Sequence, residues 1–223
     1  MRRAKNLVGI ALIILMSVSL YVLRPYITLY LTGMPKYLGV FMISFIGAVS
    51  VIFPIPYTAI IFLLASMKEL DPLITALVGG LGSGLGEFTG WVMGRFMSKT
   101  LESTKYIKQI NALIKLITLT KGKYVVPLIL FIFALTPLPD DLLFIALGML
   151  RYKLHHALIP CIIGKIVMMY FITLFGRAVT FLGESIGLSE NYVIALSTAV
   201  LIVMVLLMLL VRWDKILEKY VPK

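Results

Sequence analysis

Two Pro-x-Pro interruptions, Phe53-Pro-Ile-Pro-Tyr57 and Thr136-Pro-Leu-Pro-Asp140, cut long apolar runs at matching places in the two halves of the chain. Proline lacks the N–H a helix needs, and its ring clashes with the preceding turn, so each pair breaks a helix in mid-run. Broken backbone at membrane depth survives only where protein or a water-filled cavity satisfies the freed polar groups. Paired breaks in two repeats point to a transport site near the bilayer midplane.

Composition places the chain in lipid. Hydrophobic residues make up 61% and charged residues 14%, with a mean hydropathy of +1.03, well outside the soluble range. The net charge of +11 is spread between apolar segments rather than gathered in one patch. It therefore reads as orientation and headgroup contact, not nucleic-acid binding. The single cysteine, Cys161, lies inside an apolar run, which excludes an intrachain disulfide and argues against a Cys-based metal site. The start, Met1-Arg-Arg-Ala-Lys5 followed by Leu7–Leu23, has a signal-peptide flavour but no small-x-small cleavage site, and is expected to be a retained first span.

The apolar stretches are Leu7–Leu23, Leu38–Met67, Leu73–Phe96, Tyr124–Leu150, Leu158–Phe175 and Tyr192–Val211. Each is long enough to cross, and charge decides among topologies. If all six crossed, the basic loop with Arg95, Lys99, Lys105, Lys108, Lys115, Lys121 and Lys123 would lie opposite the N-terminus. If the two proline-broken runs instead dip in and return, that loop joins Arg2, Arg3, Lys5, Arg151, Lys153, Arg212, Lys215, Lys219 and Lys223 on one side. Only Arg24, Lys36, Lys68 and Arg177 remain opposite, as the positive-inside rule favours.

The expected fold is therefore an all-α integral membrane protein. It has four transmembrane helices and two opposed re-entrant helical hairpins in an inverted repeat, in the cell membrane with both termini cytoplasmic. The units are 1–37 (first span and interfacial segment), 38–97 (repeat 1), 98–123 (basic cytoplasmic loop), 124–178 (repeat 2) and 179–223 (last span and basic tail). Each repeat runs from Pro-x-Pro through a half-helix and a polar break at Lys68 or Arg151 to a span ending in Gly-Arg. Arg24–Lys36 and Ser98–Leu119 are expected to be interfacial helices.

Gly82, Gly86, Gly90 and Gly94 recur every fourth residue and are expected to form a smooth packing ridge. Gly79, Gly80 and Gly84 add an irregular or pliable start. Glu87, about 12 Å of helix rise before Arg95, is a costly carboxylate at membrane depth and a functional candidate, its bland alternative being a structural ion pair. Asp140 and Asp141 follow Pro139 at a half-helix start, where acids complement the dipole, yet two adjacent carboxylates also repel and invite a proton. Tyr57-Thr58 stand at the equivalent place in the first hairpin, leaving its half-helix start electropositive. Lys165, in mid-span, needs a carboxylate partner among Asp140, Asp141 and Glu87, or contacts a substrate phosphate. His155 and His156 read as interfacial residues. No metal-ligating set and no catalytic triad appears, so neither a cofactor nor an enzymatic activity is expected.

These residues resemble the DedA family, the SNARE-associated or VTT-domain membrane proteins. The resemblance rests on Gly82-x-x-x-Gly86-Glu87-x-x-Gly90-x-x-x-Gly94-Arg95 and on Phe133-Ala-Leu-Thr-Pro-Leu-Pro-Asp-Asp-Leu-Leu-Phe-Ile-Ala-Leu-Gly148, and covers roughly Leu38–Arg177. It implies two opposed re-entrant hairpins and movement of lipids, polyprenyl-phosphate carriers or phospholipids, between leaflets. The chain departs from the bacterial pattern in having no acid near Pro54-Ile-Pro56-Tyr57, and Leu135 with Asp140/Asp141 where arginines are common. The expected function is a lipid flippase or scramblase with membrane lipids, chiefly anionic headgroups, and protons as partners. Glu87, Asp140 and Asp141 are the proton sites, Arg95, Lys165 and Arg177 the positive charge, and Pro54, Pro56, Pro137 and Pro139 the hairpin tips. The alternatives are a proton-coupled transporter of small solutes or ions and a non-transporting scaffold.

Overall fold

The computed structural model describes residues 35–49, 57–66, 70–96, 107–119, 125–136, 140–189, 192–193 and 199, and every element among them is helical. The helices are α1 (Lys36–Val49), α2 (Tyr57–Ser66), α3 (Pro72–Gly86), α4 (Phe88–Phe96), α5 (Ile107–Leu119), α6 (Val125–Leu135), α7 (Asp140–Met149) and α8 (Leu154–Ser185). Leu7–Leu23, most of Tyr192–Val211 and the four hairpin-tip prolines lie outside the described residues. On either side of each proline pair stands a helix, α1 and α2 around the first and α6 and α7 around the second.

Local chemistry sets several boundaries. Asp71 caps α3, its Oδ1 accepting from the N–H groups of Leu73 and Ile74 at 3.0 Å, with Pro72 in the first turn where no N–H is needed. α7 begins at Asp140 and Asp141, acids placed against the free N–H groups of its first turn. α8 is 32 residues long, about 48 Å, apolar and long enough to cross a membrane. It begins before and ends after the expected span Leu158–Phe175, and it runs through the expected unit boundary at 178/179.

Two layers emerge from burial. α1, α3, α4, α6 and α8 all keep large apolar side chains exposed, such as Met42, Leu77, Val92, Leu128 and Phe171. α2 and α7 expose none. Each of these two is 10 residues, about 15 Å, half of a hydrocarbon core about 30 Å thick. They are the most buried of the described helices, α2 packed chiefly against α8 and α7 chiefly against α4.

Packing crosses between the halves. α1 lies on α3, and α6 on α8, each within its own unit. α2, however, packs on α8, and α7 on α4, so each inner helix rests on the long element of the other unit. Three glycines make equivalent contacts here. Gly86 meets Phe45 O and Ala48, Gly164 meets Phe131 O and Ala134, and Gly176 meets Phe62 O and Ala65. In each case a Phe-x-x-Ala turn offers its carbonyl and its methyl to a helix face without a Cβ.

The expected single glycine ridge is corrected by a turn at Glu87 that separates α3 from α4. Gly82 and Gly86 face α1, whereas Gly90 and Gly94 face Asp141, Phe144 and Ile145 of α7. Gly79, Gly80 and Gly84 do not make an irregular start either. They lie within the continuous helix α3, where Gly80 and Gly84 abut Ile166 and Ile162 of α8. α5 packs on α7 through buried Ile110, Leu113 and Ile117, with Lys115 exposed. The described part of Ser98–Leu119 is thus helical, with one side buried against α7.

Candidate functional site

The inner helices bring their N-terminal ends to one place, and a single ammonium sits there. Lys165 of α8 lies 3.0 Å from Glu87 Oε1, is ion-paired with the Asp140 carboxylate, and donates a hydrogen bond to Tyr57 OH at 3.2 Å. Lys165 is 4% exposed, Glu87 1% and Asp140 7%, so the group is sealed from the surface. Buried charge on this scale persists only when paired and hydrogen-bonded.

Each partner arrives from a different element. Tyr57 is the first residue of α2 and Asp140 the first residue of α7, each immediately following a Pro-x-Pro. Glu87 occupies the turn between α3 and α4. The turn carries its carboxylate inward, while Leu81, Leu85, Phe88 and Val92 stay on the outer face. Asp141 adds a third carboxylate against Glu87. Glu87 Oε2 and, although ion-paired, Asp140 Oδ2 are buried with no hydrogen-bond partner, acceptors that a proton or an incoming donor would satisfy. Cys161, one turn before Lys165 on α8, is buried and free.

The sequence-derived set thus divides. Glu87, Asp140, Asp141 and Lys165 come together. Arg95 and Arg177 do not, and stand toward the far ends of α4 and α8. Arg95 lies over the Trp91 ring, 5.1 Å from its centroid. Arg177 is 12 residues beyond Lys165 in α8, about 18 Å along the axis, and its Nη2 donates to Leu70 O at 2.8 Å. Tyr57 joins the site as well: the sequence marks it as the equivalent of Asp140, after Pro56 as Asp140 is after Pro139, but gives no sign that its hydroxyl meets Lys165.

The two units also fasten each other at their ends. Trp91 Nε1 of α4 donates to Tyr152 O at 2.8 Å, in the linker that follows α7. Arg177 of α8 donates to Leu70 O, in the linker that follows α2. Each long element therefore holds the exit of the other unit's inner helix. Thr180 Oγ1 adds a bond to Ser66 O at the end of α2. The rings of His155 and His156 lie 4.2 Å apart between centroids, tilted by 40°, with Tyr152 edge-on to His156, ten and nine residues before Lys165 on α8. Among the described residues no group of His, Cys, Asp and Glu has the arrangement of a metal site.

A family model for the VTT domain matches residues 53–178 of the 223. No curated protein and no solved structure matches the chain. The matched stretch runs from the first proline pair to the residue after Arg177 and encloses the whole cluster. It also contains both inner helices and both carbonyl-fastening side chains. The chain belongs to the VTT-domain family, the DedA or SNARE-associated membrane proteins.

Proposed function

We propose that this protein moves lipids between the two leaflets of the cell membrane as a flippase or scramblase, with polyprenyl-phosphate carriers and phospholipids as the cargo classes. The observation that carries the reading is the convergence of both inner-helix ends, Tyr57 and Asp140, on one buried ammonium. In this reading the chain forms four transmembrane helices and two opposed re-entrant hairpins, an inverted repeat with both termini cytoplasmic. α2 and α7 are the inward-returning arms. The headgroup passes along their meeting ends while the acyl or prenyl tail stays in the bilayer against the exposed apolar flanks of the outer helices.

Roles follow from placement. Arg95 and Arg177, on opposite sides of the cluster along their helices, receive an anionic headgroup at the two mouths. Lys165 is the midpoint, and Glu87 with Asp141 and Asp140 carries exchangeable protons, Glu87 Oε2 and Asp140 Oδ2 being buried acceptors without a hydrogen-bond donor. Reconstitution into liposomes with tail-labelled lipids tests this directly. The expected result is translocation of lipids with phosphate headgroups, reduced about tenfold or more in Glu87→Gln with folded yield nearly unchanged. Uptake of a water-soluble solute without lipid movement would favour the solute-transporter reading. Movement of neither would leave the scaffold reading.

A further inference from the structure

An ammonium carries three N–H donors and no acceptor. Three oxygens of the protein crowd the Lys165 ammonium: Glu87 Oε1, the Asp140 carboxylate as an ion partner, and Tyr57 OH as a hydrogen-bond acceptor. An anion entering the site therefore finds the ammonium already surrounded, and one internal partner has to leave before Lys165 can bind it. The three partners differ in what their departure leaves behind. Releasing Glu87 or Asp140 strands a carboxylate in a sealed, apolar setting and gives up a bond between opposite charges. Releasing Tyr57 strands no charge. Its bond, at 3.2 Å, is also longer than the 3.0 Å contact to Glu87.

The ring of Tyr57 is held independently of its hydroxyl. It lies directly on Gly47 of α1, where an added Cβ would come 2.6 Å from Tyr57 Cδ1. Lys165 Nζ stands 5.9 Å from the ring centroid, within the range where an aromatic face attracts a cation. The ring therefore remains a wall beside the ammonium when the hydroxyl gives up its bond. We infer that Tyr57 is the exchangeable partner of Lys165, whose hydroxyl an oxyanion of the transported headgroup displaces while both carboxylates stay in place. This deepens the lipid-transport reading and rests on it. It assigns the first hairpin the substrate-responsive half of the site and the second hairpin the fixed half.

Tyr57→Phe separates this role from packing. The ring and its seat on Gly47 remain, the hydroxyl is lost, and one N–H of Lys165 is left for an arriving oxyanion. Purified protein should then bind dioctanoyl phosphatidic acid about 3- to 10-fold more tightly than wild type, the worth of one such hydrogen bond. With tail-labelled phosphatidic acid in proteoliposomes, KM should fall by a similar factor without a matching rise in kcat. Gly47→Ala provides a second route, since its new methyl would come within 3 Å of the Tyr57 ring and force it off its seat, disturbing the hydroxyl's bond while touching neither Glu87 nor Asp140. It should also tighten binding, whatever its effect on stability. A residue that merely supports the fold would instead lower the melting temperature and leave affinity unchanged or weaker.

Inorganic phosphate, titrated in parallel, separates a free anion from a lipid headgroup, and tightening toward either probe supports the exchange. Unchanged or weaker binding of both probes in both variants overturns it. The lipid reading fails separately, if no form moves labelled lipid while phosphate still binds Tyr57→Phe more tightly.

Discussion

The two inner helices reach the same ammonium with different chemistry. α2 ends on it with a phenol, and α7 with a carboxylate backed by a second, Asp141. Their outer supports differ as well. The long element that carries α7 is broken at Glu87 into α3 and α4, whereas the element that carries α2 is the unbroken α8. The break has a use, because it turns Glu87 inward to face Lys165 of the unbroken partner. The central charges are complementary because the cation comes from one long element and Glu87 from the other.

That complementarity is most severely tested by removing its only cation. Lys165→Met leaves Glu87 and Asp140 as uncompensated buried carboxylates, a change that costs about 3–5 kcal/mol. Low folded yield and a large fall in melting temperature in detergent are expected. Adding Glu87→Gln and Asp140→Asn should restore much of the loss, because neutral amides carry no stranded charge. Rescue without recovery of transport would show that the cluster is needed for movement as well as for folding. Failure of the triple variant to regain stability would mean that shape, not charge balance, holds the centre together.

How far the sequence revealed this arrangement depends on whether the signal was local. The proline pairs mark the ends of α2 and α7, because a missing N–H acts within one turn. Glu87, Asp140 and Lys165 stand out because an ionisable group in an apolar run is conspicuous wherever its partner lies. The exchange of inner helices between units is not legible, since it depends on which of two similar apolar faces packs against which. The split of the glycine ridge follows from the turn at Glu87, and a four-residue period continues through that turn unchanged. Charge alone groups Arg95 and Arg177 with the cluster, and the rise of an α-helix places them away from it. Tyr57 is marked only by its position after Pro56, because a phenol carries no charge that demands a partner.

The next test compares the two crossed packing contacts. A Cβ at Gly94 would collide with Ile145 O of α7, whereas one at Gly176 would lie 2.8 Å from Phe62 O of α2. Backbone oxygen cannot swing aside as a side chain can, so alanine at either site forces helices apart at a cost of about 1–3 kcal/mol. Gly94→Ala is expected at the upper end and Gly176→Ala nearer the lower, read as melting temperatures of the purified variants. Gly79→Ala is the control, because its nearest neighbour is the Ser44 hydroxyl at 3.3 Å and alanine favours the helix. Equal losses at Gly94 and Gly176 would erase the proposed difference in tightness between the units.

The smallest effect concerns the way α7 and α8 stop. Both helices close with the same pair of bonds. Tyr152 N–H reaches Leu147 O at 2.9 Å and Arg151 N–H reaches Gly148 O at 3.0 Å. Leu188 N–H likewise reaches Gly183 O and Gly187 N–H reaches Glu184 O, both at 3.0 Å. This double closure requires a left-handed residue at the first position past the helix. α8 supplies Gly187 with φ of 76°, but α7 supplies Arg151 with φ of 55°. An L-residue with a Cβ is strained there, and glycine is not. Arg151→Gly should therefore stabilise the protein, by under about 1 kcal/mol once the added freedom of glycine in the unfolded chain is set against the relieved strain. A small rise in melting temperature is the expected outcome. A fall would mean that the exposed Arg151 side chain makes a contact worth more than the strain it imposes, and would turn attention to that guanidinium as a reason for keeping arginine where glycine fits.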